Sequence, residues 1–455
     1  MKNQITKLLV MILCIMSTNI QASTLNPDTI IGTWLGKMKV SDALELSVGF
    51  DINQLENQQL GATMHIVEQR AFDIPMDKIS FENDSLHIEF VAAGISYSGR
   101  FDSNTITING HYIQGDTKIE LVLHHVDQIP REIVRPQTPM APFPYKTEEI
   151  LFTNRDANIT LAGTLTMPVD GSSFPAIILA HGSGHTDRNE TAMGHFTLLA
   201  DYFTRQGFAV LRYDKRGVKE SGGNYDEATT IDFAKDLKSG IEYLKNRSDI
   251  NASEIGIIGH SEGTLIAPMV ASEVKDLAFI ILMGAMGVNG GEIRIQQTEK
   301  IMQLNGTQDS LIKIEIDQIR SYHSIILSKN DSITKSQMIS AKHSNLSEGL
   351  INYLMKPWYK CFIEEEPTEY LRKVTCPVLA LSGEKDVQCP ADGNLPQIEA
   401  ALRDGGNSNF TVKTIPSVNH LFQTAKSGLP VEYENIAEII APSVLDLMNN
   451  WILNR

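Results

Sequence analysis

Six short apolar runs follow one another in the last two thirds of the chain, and this pattern most restricts how the chain can fold. Amphipathic stretches separate the runs, which is typical of a mostly parallel sheet covered by helices. The runs are residues 176–180, 208–211, 255–258, 277–283, 378–381 and 410–415. We therefore predict an α/β domain over residues 145–455.

One connection in this domain is far longer than an ordinary crossover. Residues 291–370 lie between the fourth and fifth runs and contain polar, helix-like sequence. Connections in α/β units usually have short loops and one helix. We predict a helical cap over the carboxyl ends of the strands, where ligands of open α/β sheets bind. Its apolar residues, with Trp358 as the best single candidate, either line a substrate pocket or form the core of the cap.

The first part of the chain has a different pattern. Residues 26–128 contain short alternating runs at 44–50, 85–91, 105–108 and 118–123, with Gly, Asn and Asp between them. This spacing predicts an all-β domain, either a small antiparallel barrel or a sandwich. The tripeptide Gly32-Thr33-Trp34 resembles the start of lipocalin-like barrels. Residues 129–144 hold five prolines and predict a semi-rigid linker.

The amino terminus has the layout of a secretory signal peptide. Lys2 and Lys7 precede the apolar run 8–16 and give a positive amino-terminal region. The polar stretch after the run ends at Ala22. We expect cleavage after residue 22 and a secreted or periplasmic protein. No later run reaches the length of about 20 apolar residues that a membrane anchor needs. The net charge of −16 excludes nucleic acid as a partner, and the oligomeric state is left open.

Cysteine usage gives no cofactor site. Cys361, Cys376 and Cys389 remain after the signal peptide, and none has C-x-x-C or Cys/His metal spacing. They either include one disulfide, whose pairing the sequence does not choose, or act as small buried hydrophobes. No phosphate-binding loop is visible, so we expect neither a metal nor a cofactor.

A reactive serine is indicated at the end of the third apolar run. Residues 255–263 read IGIIGHSEG, followed by a helix-like stretch. This is G-x-S-x-G in a strand–turn–helix context, where a tight turn exposes the serine. We therefore predict Ser261 as a nucleophile.

An acid and a base follow the last two apolar runs. Asp386 comes just after run 378–381, and His420 just after run 410–415. Both are expected at the sheet edge that carries Ser261, with His420 as base and Asp386 orienting its imidazole. Glu384 is the alternative acid.

Backbone donors for an oxyanion are expected at two places. One is the N–H of Glu262, directly after the nucleophile. The other lies in the His-Gly-Ser-Gly loop at 181–184, where we assign Ser183, with Gly182 as the alternative. The charged residues Asp214 and Arg216 are expected to form a structural ion pair that braces their loop.

These motifs together resemble the α/β-hydrolase superfamily, and more closely the secreted bacterial esterases of its serine aminopeptidase-like branch. The chain contains A-H-G-S-G, R-Y-D-K-R-G, G-H-S-E-G, P-V-L-A-L-x-G-x-x-D and N-H-L-F in that order. The resemblance implies Ser261 as nucleophile, Asp386 as acid, His420 as base and a helical cap. Two positions depart from the family pattern, because Thr264 and Lys219 stand where glycine is usual.

The resulting hypothesis is a carboxylic ester hydrolase that forms an acyl-enzyme with small esters of short or medium acyl chain. A serine peptidase of the same fold is the first alternative, although no motif for a charged peptide terminus is visible. The second alternative is a binding protein without catalytic activity on a hydrolase scaffold.

Overall fold

The computed structural model describes residues 27–40, 45–55, 58–69, 71–115, 117–131, 135–190 and 193–455. The predicted signal peptide lies outside the described residues. The chain divides into two compact units, with the main boundary between Ile129 and Pro130. In the described ranges, no helix combines the length and the apolar character needed to cross a membrane.

The first unit is a nine-stranded sheet with the order β4-β3-β2-β1-β9-β8-β7-β6-β5, in which pairs such as β1 with β9 and β7 with β8 are antiparallel. Its strands are β1 (Gly32–Lys39), β2 (Glu45–Gln54), β3 (Leu60–Ile66), β4 (Ala71–Pro75), β5 (Lys78–Glu82), β6 (Ser85–Phe90), β7 (Ile95–Asp102), β8 (Thr107–Gln114) and β9 (Thr117–Val126).

The core of this unit forms around Trp34, which is fully buried. Its Nε1 donates to the carbonyl oxygen of Ile30 at 2.8 Å, and its ring lies edge-on to Phe101, with centroids 6.0 Å apart. The predicted strand at 105–108 begins two residues too early. Ile106 lies in a turn with φ +52°, so β8 begins only at Thr107.

The second unit contains an eight-stranded sheet with the order β10-β11-β13-β12-β14-β15-β16-β17. The strands β10, β11 and β13 pair antiparallel, and all pairs from β13 through β17 are parallel. The bounds are β10 (Lys146–Asn154), β11 (Ile159–Met167), β12 (Phe174–Ala180), β13 (Ala209–Tyr213), β14 (Ile250–His260), β15 (Phe279–Met283), β16 (Val378–Gly383) and β17 (Phe410–Ile415). The predicted α/β-hydrolase fold with a preceding all-β domain is confirmed.

Five helices cover the two faces of this sheet. They are α1 (His195–Arg205), α2 (Thr230–Lys245), α3 (Gly263–Glu273), α10 (Ala391–Asp404) and α11 (Pro442–Asn454). One apolar core joins the sheet to α1 and α11, and a second joins it to α2, α3 and α10. The site therefore rests on strands that are buried on both faces.

The connection between β15 and β16 consists of six helices. They are α4 (Gly290–Leu304), α5 (Asp309–Ile326), α6 (Ser332–Lys342), α7 (Glu348–Leu354), α8 (Pro357–Glu364) and α9 (Pro367–Leu371). We call α4–α9 the cap. Buried cap side chains such as Ile319, Leu354 and Tyr359 belong to the apolar core that also includes α2 and α3.

Two further features concern the predicted linker and the cysteines. Gln137 binds both the carbonyl oxygen and the amide of Ile440, so part of the proline-rich segment is held against the second unit. Cys361, Cys376 and Cys389 are all buried and unpaired.

Candidate active site

The turn from β14 to α3 holds Ser261 in a strained backbone conformation. Its φ is +54°, a region that costs a residue with a side chain about 1–3 kcal/mol. The turn requires glycine on both sides. A Cβ on Gly259 would lie 2.2 Å from the carbonyl oxygen of Gly263, and a Cβ on Gly263 would lie 2.1 Å from that of Ala180.

Thr264 stabilises this turn at the position where glycine is usual. Its hydroxyl donates to the carbonyl oxygen of Ser261 at 2.7 Å and accepts from the amide of Met286 at 2.9 Å. The other departure, Lys219, has φ +49°. It thus adopts the left-handed conformation that glycine takes most easily.

Asp386 and His420 form a buried hydrogen-bonded pair. His420 Nδ1 and Asp386 Oδ2 are 2.8 Å apart, and the two residues are 2% and 4% exposed. The amides of Gln388 and Cys389 donate to Asp386 Oδ1, so both oxygens of the carboxylate accept hydrogen bonds. Because a carboxylate only accepts, the proton of His420 is on Nδ1, and Nε2 has a free lone pair.

The segment at the end of β15 connects this pair to Ser261. The amide of Ser261 donates to the carbonyl oxygen of Met283 at 2.9 Å. The next residue, Gly284, lies against the pair, since a Cβ there would be 2.8 Å from the His420 ring and 3.5 Å from Asp386 Oδ2. Ser261 and the Asp386–His420 pair therefore both lie next to residues 283–284, at the carboxyl end of β15. The alternative acid Glu384 is exposed and accepts from the amide of Ser417.

Two buried histidines support the loop that carries His420. His260 Nε2 donates to the carbonyl oxygen of His420 at 3.1 Å, and His195 Nε2 donates to that of Leu421 at 3.2 Å. In the part of the chain that the structure describes, Glu190, His195 and His260 could hold a metal ion, with one ligand atom from each within 4.8 Å of the others. Both carbonyl contacts use Nε2, and His195 Nδ1 lies 3.4 Å from Glu190 Oε2.

The His-Gly-Ser-Gly loop after β12 lies beside the nucleophile. A Cβ on Gly182 would be 3.2 Å from Ser261 Cβ. The carbonyl oxygen of Gly182 accepts from Lys215 Nζ at 2.6 Å. Lys215 is 2% exposed, and burial lowers the pKa of its ammonium while the nearby Glu262 opposes this effect. Lys215 was not among the functional residues predicted from the sequence.

Glu262, the residue after the nucleophile, is buried, and three donors contact its carboxylate. Its carboxylate lies 3.3 Å from Lys215 Nζ and accepts from Thr230 Oγ1 at 2.7 Å. A third donor is Trp358 Nε1, at 2.7 Å. Trp358 belongs to α8, is 7% exposed and stacks on Phe362. The cap residue predicted to contact substrate is thus bonded directly to the turn that holds Ser261.

Asp214 and Arg216 are both structural, but the predicted ion pair between them was wrong, because each has another partner. Asp214 binds Arg188, with Oδ2 and Nη2 2.6 Å apart. Arg216 binds Asp236, with Nε and Oδ2 2.7 Å apart. Burial raises the pKa of Asp214, but the hydrogen bonds and charge of Arg188 outweigh this effect and lower the pKa.

Comparisons with known proteins identify a family that this chain matches. A family model described as serine aminopeptidase, S33, matches residues 172–424, more than half of the chain. The esterase EstD of Thermotoga maritima is 24% identical over 309 residues, which cover 66% of this chain and 68% of EstD. An acyl transferase of Shewanella woodyi is 35% identical over 136 residues, covering 30% of this chain and 41% of that protein.

Two solved structures are among those that the comparison found similar to this chain. The Pyrococcus furiosus esterase Pf2001 has a TM-score of 0.42 at 17% identity, covering 72% of this chain and 99% of its own. The hypothetical protein PA2218 of Pseudomonas aeruginosa has a TM-score of 0.47 at 16% identity, covering 72% of this chain and 98% of its own. On the family match, the chain belongs to the serine aminopeptidase S33 family and is an esterase-like serine hydrolase of the α/β-hydrolase fold.

Proposed function

We propose that this protein hydrolyses small carboxylic esters of short or medium acyl chain through an acyl-enzyme on Ser261. His420 is the general base, Asp386 orients it, and the backbone N–H groups of Ser183 and Glu262 bind the oxyanion. The observation that carries the proposal is the buried Asp386–His420 pair, 2.8 Å long, beside the strained turn of Ser261.

The chemistry follows from the protonation of this pair. His420 Nε2 takes the hydroxyl proton as Ser261 Oγ forms a bond to the ester carbonyl carbon, and the carbonyl oxygen becomes an oxyanion. The intermediate collapses, the C–O bond to the alcohol breaks, and His420 gives its proton to the leaving oxygen. Water then attacks the acyl-enzyme by the same route, releasing the acid and restoring Ser261. Asp386 stabilises the imidazolium in both halves.

The surroundings of Glu262 favour an ester over a peptide with a free amino terminus. An exopeptidase needs a carboxylate that is free to bind the substrate ammonium group. Glu262 is the buried carboxylate nearest the nucleophile in sequence, but Lys215 lies 3.3 Å from its Oε2 and neutralises it, and Thr230 and Trp358 both donate to its Oε1. The name of EstD supports the same choice.

A substrate panel tests the proposal. We expect hydrolysis of p-nitrophenyl acetate, butyrate and octanoate, and no comparable rate with aminoacyl p-nitroanilides. A serine-directed fluorophosphonate should label the protein at Ser261. Faster release from the anilides would support the peptidase, whereas no labelling and no turnover would support a binding protein.

Ser261→Ala is the matched control for this panel. The change deletes one hydroxyl and leaves the backbone of the turn in place, so thermal unfolding should occur at or near the wild-type temperature. Hydrolysis and labelling should both be nearly abolished. If the variant kept a tenth of the wild-type turnover, the assignment of the nucleophile would be wrong.

A further inference from the structure

Lys215 is a buried cation with two polar partners, and both belong to the region that holds the reacting serine. Its Nζ donates to the carbonyl oxygen of Gly182 at 2.6 Å and lies 3.3 Å from Glu262 Oε2. The ring of Phe233 lies 4.3 Å from the same nitrogen. Lysine is almost never fully buried without a partner, and here both partners lie beside Ser261.

The contact with Gly182 fixes the direction of a neighbouring N–H. The carbonyl of Gly182 and the amide of Ser183 belong to the same planar peptide group, in which C=O and N–H point in opposite directions. Lys215 holds the carbonyl on one side, so the N–H of Ser183 must point to the other side. A charged donor on the carbonyl also polarises the peptide, which strengthens the hydrogen bond that its N–H can give.

The contact with Glu262 connects the second donor to the same cation. The N–H of Glu262 is the other proposed oxyanion donor, and its side chain cannot move freely because three donors hold its carboxylate. Lys215 therefore contacts the peptide group that contains one proposed donor and the side chain of the residue that carries the other.

We infer that Lys215 is a positioning residue that sets the oxyanion hole by holding the Gly182–Ser183 peptide and the side chain of Glu262. This inference rests on the proposed function, because it concerns the same reaction. It predicts that Lys215 acts in the transition state more than in substrate binding, since the oxyanion exists only after the attack.

The test uses a double variant, because Lys215→Met alone would leave the charge of Glu262 buried and unpaired. In Lys215→Met/Glu262→Gln, both charges are removed, and the Gln side chain keeps an acceptor oxygen for Thr230 and Trp358. We expect a folded protein by circular dichroism, a kcat about 10²-fold lower and a KM within about twofold of wild type. The affinity for a boronic acid that mimics the tetrahedral intermediate should fall by the same factor as kcat/KM.

Two further variants make the result specific. Lys215→Arg keeps the charge and the N–H donors, so its kcat should stay within about tenfold of wild type, well above that expected of the double variant. If the double variant does not fold, this comparison with wild type tests the inference, and a kcat about 10²-fold lower in folded Lys215→Arg would contradict it. Lys238→Met removes an exposed lysine that pairs with Glu273 on the surface, and it should have wild-type kinetics.

The outcomes separate this inference from the proposed function. If Ser261→Ala is inactive but the folded double variant has wild-type kcat, the role of Lys215 is refuted and the proposed function stands. If a loss appears in KM alone, Lys215 acts in binding and the inference is equally refuted. If Ser261→Ala retains activity, the proposed function itself fails.

Discussion

At the scale of single residues, burial keeps two histidines beside the site in the neutral form. Burial lowers the pKa of His260 to about 3 and that of His181 to about 4. His260 is therefore neutral at the pH of ordinary assays, with its proton on Nε2 for the bond to the carbonyl oxygen of His420. It holds the base in place without competing for the proton.

The lowered pKa of His260 predicts a loss of stability in acid. Unfolded histidine has a pKa of about 6.5, so between pH 6.5 and 3 the unfolded chain binds a proton that the folded chain does not. The free energy of unfolding therefore falls as the pH falls, by up to about 1.4 kcal/mol per pH unit from this residue. His260→Asn should flatten the dependence by that amount.

Urea unfolding of wild type and His260→Asn at pH 8.0, 6.0, 5.2 and 4.5 measures this effect. Above pH 7.5, His260 is neutral in the folded and the unfolded chain. It therefore adds no pH dependence to the free energy of unfolding there, and pH 8.0 is the reference point for both proteins. If the free energy of unfolding falls equally steeply with pH in both proteins below pH 6, the assignment of a neutral, buried His260 is contradicted.

The sequence indicates the proposed reacting residues more directly than the residues that support them. Ser261, Asp386 and His420 follow apolar runs, so their common location could be inferred from the edge of the sheet. Lys215 was missed because its partners Gly182 and Glu262 are 33 and 47 residues away along the chain. A charged residue two positions after a buried strand was the only signal, and it does not identify a partner.

At the scale of elements, the strands that were missed are those without a continuous apolar run. In β10, buried and exposed residues alternate, as is usual at the edge of a sheet. In β11, Thr164 and Thr166 interrupt the apolar sequence although both are buried, because their hydroxyls bond to Glu149 and Thr204. All six runs that the sequence does show lie mainly in β12–β17.

The cap gives a prediction about acyl-chain preference through Trp358. Trp358→Ala and Trp358→Phe both remove the N–H that binds Glu262, but only Ala removes most of the ring volume. We therefore expect the Ala variant to keep its reactivity toward an acetyl ester, relative to the Phe variant, while its preference among longer acyl chains changes. The loss of a buried aromatic side chain should cost about 3–5 kcal/mol of stability.

Rates with p-nitrophenyl esters of two to ten carbons, measured well below the unfolding temperature of each variant, give this comparison. The Phe variant is the matched control, since any effect of the lost hydrogen bond is common to both proteins. If the two folded variants share one chain-length profile, Trp358 does not line the acyl pocket.

At the scale of the whole molecule, the amino-terminal segment predicts export. A chain expressed with residues 1–22 in a bacterial host should appear outside the cytoplasm, and its amino-terminal sequence should begin near Ser23. Deleting residues 2–22 should retain the protein in the cytoplasm. A full-length cytoplasmic product of the intact chain would contradict the prediction.

The three buried cysteines bear on whether this protein needs an oxidising compartment in order to fold. Burial raises the pKa of Cys376 to about 11 and also raises that of Cys361 and Cys389, so little reactive thiolate exists at neutral pH. No disulfide joins Cys361, Cys376 and Cys389 in the described structure, so these three residues need no oxidant to take their places in the core. The protein should therefore fold to the same enzyme in an oxidising compartment and in a glutathione-rich cytosol. Its activity should not depend on the compartment in which it folds.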